Sequence, residues 1–143
     1  MRGFLMLSLA RRYSLPISVF SSSVFFALMH FGNTGVTVIG VLNIFLFGIF
    51  ASLFTLRTGS LVGTCAIHTA WNFVQGHIFG CPVSGFVSVD SVLLSSLGKS
   101  GLKTGGGAFG PEGGLAVTLI LILSLVVLCV LPSRRSGEEA PSP

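Results

Sequence analysis

The sequence predicts an all-α fold: a polytopic transmembrane helical bundle of about four spans, preceded by the C-terminal half of a further helix. Three observations carry this. Hydrophobic residues make up 51% of the chain and charged residues only 8%, against about 25% charged in soluble domains. Mean hydropathy is +0.92. Val36 to Leu56 runs 21 residues without a charge, long enough to cross the hydrocarbon core of a bilayer.

The elements follow in order. Residues 3–10 are apolar and helix-compatible, and Arg11-Arg12-Tyr13 closes them. The opening residues resemble a signal peptide only in outline, because the apolar run is short and no small-residue cleavage pattern follows it. Pro16 suits the first turn of a second helix, with Ser14 as its cap. That helix spans about Ile17 to Phe31 and stops at Gly32-Asn33-Thr34-Gly35. The third is Val36–Leu56. Arg57-Thr58-Gly59-Ser60 is a tight connection to the fourth, Leu61 to about Phe79. From 80 to 114 Gly, Ser and Pro break up short apolar pieces, and 87–94 is compatible with a strand or an interfacial helix. Gly101 to Gly114 holds seven glycines and reads as an ordered, turn-rich loop outside the hydrocarbon core. Leu115 to Leu131 is the last span, stopped by Pro132. Residues 1–131 thus form one membrane domain, and 132–143 a disordered polar tail.

The net charge of +4 is small and dispersed. It reads as a topology signal and not as a nucleic-acid patch. Arg11, Arg12, Arg57, Arg134 and Arg135 fall on one side and Lys99 and Lys103 on the other, which makes the first side cytoplasmic. Cys65, Cys81 and Cys129 are scattered, without C-x-x-C, and support neither a disulfide framework nor a thiolate metal site.

Chemistry concentrates on two apolar segments. His68 and Asn72 stand four apart in C-A-I-H-T-A-W-N-F-V-Q-G, which places them on one helix face. Both need partners at membrane depth. His30 ends a second apolar segment, in F-A-L-M-H. Two imidazoles and an amide oxygen are neutral ligands that suit Zn²⁺. Equally, helix–helix hydrogen bonding explains an H-x-x-x-N pair without metal. His77 reads most simply as an interface residue. Residues 14–79 contain no Asp or Glu; the acids are Asp90, Glu112, Glu138 and Glu139. Glu112 is the nearest acid with a replacement role as base, but its loop is expected to stand apart from the histidines. No H-E-x-x-H occurs, Gly98-Lys99-Ser100 lacks the rest of a P-loop, and no Ser–His–Asp set is arranged.

Arg2-Gly3-Phe4, then F-x-x-x-H at Phe26–His30, then H-x-x-W-N at His68–Asn72 resemble, in order and spacing, the CPBP intramembrane metalloproteases. These include the CAAX-prenyl-protease and bacteriocin-processing (Abi) proteins. Phe73-Val74-Gln75-Gly76 and Gly-Ala-Phe-Gly-Pro-Glu-Gly are similar to a bacterial branch. The resemblance implies a metal-dependent endopeptidase in a bacterial cell membrane, acting on a peptide or protein substrate at or within the lipid bilayer. It makes His30, His68 and Asn72 the metal ligands, with zinc as cofactor. Phe26 belongs to the second motif, and Arg2 is the arginine that holds the first. The first motif's glutamate pair belongs four and five positions before Arg2, ahead of Met1. An N-terminally truncated, catalytically incomplete form is therefore expected, with loss of the base costing about 10²–10⁴ in rate. The alternative is a non-catalytic relative with a scaffold or immunity role. The in-frame coding sequence upstream of Met1 checks this reading: a Glu pair in E-E-x-x register with Arg2 is the expected result, and a stop without one leaves a fragment expected to cleave nothing.

Overall fold

A computed structural model describes residues 2–87, 90–93, 95 and 105–130. Their fold is all-α. A π-helical turn, Arg2–Met6, leads into α1, Leu7–Ala10. There follow α2, Leu15–Leu28, α3, Val38–Thr58, and α4, Leu61–Phe73. A second π turn, Val74–Ile78, extends α4. Two 3₁₀ turns, Gly107–Phe109 and Pro111–Gly113, precede α5, Leu115–Val130.

Local chemistry sets these limits. Thr37 caps α3 by accepting from Gly40 N–H at 3.0 Å, and Gly59 ends it at φ 66°, a left-handed stop that glycine adopts without strain. Ser60 then caps α4 by accepting from Gly63 N–H at 2.9 Å. Pro16 does lie in the first turn of α2, but the Ser14 side chain makes no capping bond; instead Ser14 O accepts from Ser18 Oγ at 3.1 Å. The second segment ends earlier than expected, at Leu28, so His30 sits in the turn just beyond the helix.

Helix α3 is the hub, packed by α2, α4, α5 and the N-terminal π turn. Small residues make this possible. Ser18, Ser22, Ser23, Gly48, Ala51 and Ser52 are all buried. A Cβ placed on Gly48 would lie 2.9 Å from Ser23 Cβ, so the α2 and α3 backbones meet at the closest distance glycine allows. Small residues at such contacts are the membrane solution to helix association. Their hydroxyls are spent locally: Ser23 Oγ donates to Val19 O at 2.7 Å and Ser52 Oγ to Gly48 O at 2.8 Å. Thr55 and Thr64 share a 2.6 Å bond that ties α3 to α4. Outside, the pattern inverts: Phe20, Leu28, Leu119, Leu123 and Val130 are exposed. An apolar exterior around an interior of small polar groups suits lipid as solvent.

Among the described residues one helix, α3, is long and apolar enough to span a membrane, at mean hydropathy 2.2; α2 and α5 are shorter apolar helices. Arg57 Nη2 donates to Cys129 O at 3.4 Å. The α3–α4 connection and the C-terminal end of α5 therefore share one side, as the charge distribution expects. Lys99, Lys103, Arg134, Arg135 and the tail 132–143 lie outside the described residues. So do parts of 87–94, whose described residues form neither helix nor strand. The three cysteines are unpaired.

The glycine-rich segment departs from expectation. Its described part, 105–114, is turn-rich, but it folds back onto the bundle. Phe109 is 0% exposed and packs with Ala27 and Ile44. A single aromatic with no periodic neighbours, it carries no core signal in the sequence, yet it pins the loop to α2 and α3.

The close approach at Gly48 makes a matched pair of expectations. Gly48→Ala overpacks the α2–α3 contact and lowers stability by about 1–3 kcal/mol. Gly32→Ala, where an added Cβ meets nothing within 4 Å, stays within about 0.5 kcal/mol of the parent. Thermal unfolding in detergent, followed by helical circular dichroism, reads both.

Candidate functional site

The Phe26 ring brings together residues from three helical elements. The His30 ring lies edge-on at 4.8 Å between centroids, and the His68 ring, from α4, at 6.0 Å. The Arg2 guanidinium carbon sits 4.3 Å over the same ring. Arg2 is 8% exposed; its Nη2 donates to Gly48 O at 3.2 Å, on α3. Its Nε is buried without a hydrogen-bond partner. Phe47 closes the group, 5.1 Å from His68.

The proton on His30 is placed by geometry. Nδ1 lies 2.8 Å from Phe26 O. A carbonyl oxygen only accepts, so Nδ1 carries a hydrogen and Nε2 is the ring nitrogen left for a ligand. A backbone carbonyl holding one imidazole nitrogen is the usual way a ligating histidine is oriented.

Both histidines line an apolar cavity of about 720 Å³. Asn72, expected on their face, lines instead a neighbouring cavity of about 410 Å³ with Thr69, Phe73, His77, Val83 and Phe86. Its Oδ1 is buried and makes no hydrogen bond, which is costly for an amide oxygen. His77 Nδ1 lies 3.2 Å from Asp90 O. Among the described residues no three His, Cys, Asp or Glu side chains converge on a metal position. The structure thus brings His30 and His68 to one cavity, while Asn72, one helical turn from His68, lines the other with its amide oxygen unpartnered.

Glu112 corrects the expectation drawn from its loop. It lines the same cavity as His30 and His68. Its Oε2 accepts from Ser84 N–H at 2.6 Å and from Ser84 Oγ at 2.5 Å, and its Oε1 from Trp71 Nε1 at 3.2 Å. Ser84 holds φ 47°, a conformation rare for a residue with a side chain, and three bonds fix it there: the two to Glu112 and Asn33 Nδ2 donating to Ser84 O at 2.9 Å. The loop itself is moored by Asn43, 1% exposed in the second turn of the apolar helix α3. Asn43 Nδ2 donates to Glu112 O at 2.7 Å and to Gly114 O at 3.0 Å, while its Oδ1 accepts from Thr118 Oγ1 at 2.7 Å. Neither Asn43 nor Gln75, on the second π turn of the same cavity wall, stood out in the sequence; an Asn inside a charge-free span was the available signal.

Asn43→Leu strands the Glu112 carbonyl and leaves Gly114 O and the Thr118 hydroxyl only their long bonds to each other in the first turn of α5. Each orphaned buried group costs about 1–3 kcal/mol, so the substitution lowers the melting temperature and exposes 105–114 to proteolysis. Unchanged protease protection of that segment contradicts the mooring role.

A family model described as Type II CAAX prenyl endopeptidase Rce1-like matches residues 1–74. The match covers the Arg2, Phe26–His30 and His68–Asn72 motifs, and the chain belongs to this family. No characterised protein and no solved structure matches the chain.

Proposed function

We propose that this membrane protein, a CAAX-protease-type endopeptidase at the level of its family, is metal-dependent, with His30, His68 and Asn72 as zinc ligands. The observation that carries the reading is the meeting of His30 and His68 around the Phe26 ring, with the His30 proton held on Nδ1 by Phe26 O. That leaves Nε2, on a ring lining an apolar cavity, as the nitrogen able to ligate. Asn72 supplies a buried amide oxygen that lacks any other partner. When bound, Zn²⁺ supplies Lewis acidity toward a peptide carbonyl and acidifies water.

The rest of the work falls to this chain's residues. Phe26 packs against both imidazoles and Phe47 against His68, which fixes the tilt of the rings. Arg2 sits on Phe26 and holds the N-terminal π turn to Gly48 O of α3, which positions the arginine end of the first motif beside the histidines. The carboxylate pair that the resemblance places before Arg2 lies outside residues 1–143. Hydrolysis is therefore proposed for a chain that carries that pair, and metal binding for residues 1–143 themselves. A non-catalytic role in the same family is the second reading. It is favoured by one observation: the acid on the cavity wall, Glu112, is engaged by Ser84 and Trp71.

Metal content separates the readings. Purified in detergent, residues 1–143 are expected to carry near-stoichiometric zinc by atomic absorption. His30→Ala and His68→Ala lose it, and Asn72→Ala weakens it. Zinc content untouched by His68→Ala contradicts the ligand set. In cells, a biological effect that survives His30→Ala and His68→Ala assigns the protein to the non-catalytic reading.

A further inference from the structure

The end of the bundle where α1 meets α2 is basic, and no described acid lies there. Ser23 of α2 meets Gly48 of α3, and Ala27 clusters with Ile44, so the two helices run antiparallel. Carried to its end, that register sets the start of α2 beside Arg57 in the last turn of α3. Arg11 and Arg12 stand in the turn just before α2, so all three guanidinium groups share this end. The C-terminal end of α5 joins them, through the bond from Arg57 to Cys129 O. No Asp or Glu occurs before Asp90. Of the described acids, Asp90 follows α4 and Glu112 precedes α5, which puts both at the opposite end. Arg11 and Arg12 are exposed. Among the described residues their side chains have neither a hydrogen bond nor an ion pair.

We propose that this end is a docking surface for the headgroups of anionic phospholipid, with Arg11 and Arg12 as its principal contacts. Their neighbours set their depth. Leu7 on one flank and Leu15 and Ile17 on the other are exposed. Exposed apolar side chains on both flanks are at home in hydrocarbon, so the arginines between them lie at its edge, at headgroup level. Tyr13, also exposed, is a residue type enriched at that level. A planar guanidinium meets two phosphate oxygens at once, and its aliphatic stem lies along the apolar flank while the charge stays in water. A lipid fits this surface better than an acidic protein segment. A protein partner would have to strip the apolar flanks of lipid or set its own acids against hydrocarbon, whereas a headgroup is already at that depth. Each basic residue near an anionic bilayer surface is worth about fivefold in association. The surface is separate from the histidine cavity and asks nothing of a metal.

Spin-labelled lipids read the preference. Residues 1–143 are placed in phosphatidylcholine nanodiscs doped with spin-labelled phosphatidylglycerol or with spin-labelled phosphatidylcholine. Electron paramagnetic resonance gives the fraction of each label held against the protein. At low ionic strength the labelled phosphatidylglycerol is expected to be enriched about tenfold over the labelled phosphatidylcholine, and the enrichment to fall as salt is raised. Arg11→Gln with Arg12→Gln is expected to cut it at least about fivefold. Arg11→Lys with Arg12→Lys keeps the charges and retains most of it. Lys99→Gln with Lys103→Gln removes the same net charge from the segment between α4 and α5, and is expected to leave the enrichment unchanged. Arg11 and Arg12 hold nothing within the described chain, so their substitution leaves the bundle folded. Equal association of the two labels overturns the proposal. So does an enrichment that survives Arg11→Gln with Arg12→Gln, or one that Lys99→Gln with Lys103→Gln abolishes to the same degree. Loss of the enrichment on adding millimolar inorganic phosphate at matched ionic strength also overturns it, because the surface would then be a site for free phosphate and not for a lipid.

Discussion

Asn43 carries the constraint on which the site depends. A polar side chain in a charge-free span must find every partner inside the protein, and Asn43 finds three: Glu112 O, Gly114 O and Thr118 Oγ1. Those bonds cross from α3 to the glycine-rich loop and to the first turn of α5. They fix where the loop lies, and the loop carries Glu112. Through Glu112 the same tie reaches Ser84 and Trp71, next to Asn72. One buried amide in the second turn of the hub helix therefore sets the polar wall of the cavity that His30 and His68 also line.

The apolar side of the cavity is organised by a different rule. Gly48 and Ser23 let α2 and α3 approach closely, and that approach sets Phe26 and Phe47 near one another, at 6.3 Å between ring centroids. Phe26 then serves three partners at once: both histidine rings and the Arg2 guanidinium. Close helix packing by small residues and ring contacts around Phe26 together place motifs that lie far apart in sequence.

Much of this was legible in the residues. Hydropathy and charge gave the helices, and the spacing of Phe26, His30 and His68 pointed to side chains that the structure does bring together. His30 departs only in lying past the helix end. Asn72 shows where spacing runs out. Four residues from His68 is one turn, yet the two line different cavities, because the choice between neighbouring hollows is made by what packs against α4. Glu112 was illegible for a physical reason. Its path depends on Gly106, Gly107 and Gly110 at positive φ and on Ser84 strained at φ 47°, and a run of glycines permits many paths with no periodicity to choose among them. Phe109 in the core and Asn43 beneath the loop make the choice, and both are tertiary.

The zinc site is the claim on which the functional reading turns, and X-ray absorption at the zinc edge probes its ligands directly. The expected spectrum of zinc-loaded residues 1–143 shows light scatterers at about 2.0–2.1 Å with the outer-shell pattern of two imidazoles and an added oxygen. A Zn–S shell at about 2.3 Å, or a two-imidazole pattern that survives His68→Ala, would contradict the assignment of His30, His68 and Asn72.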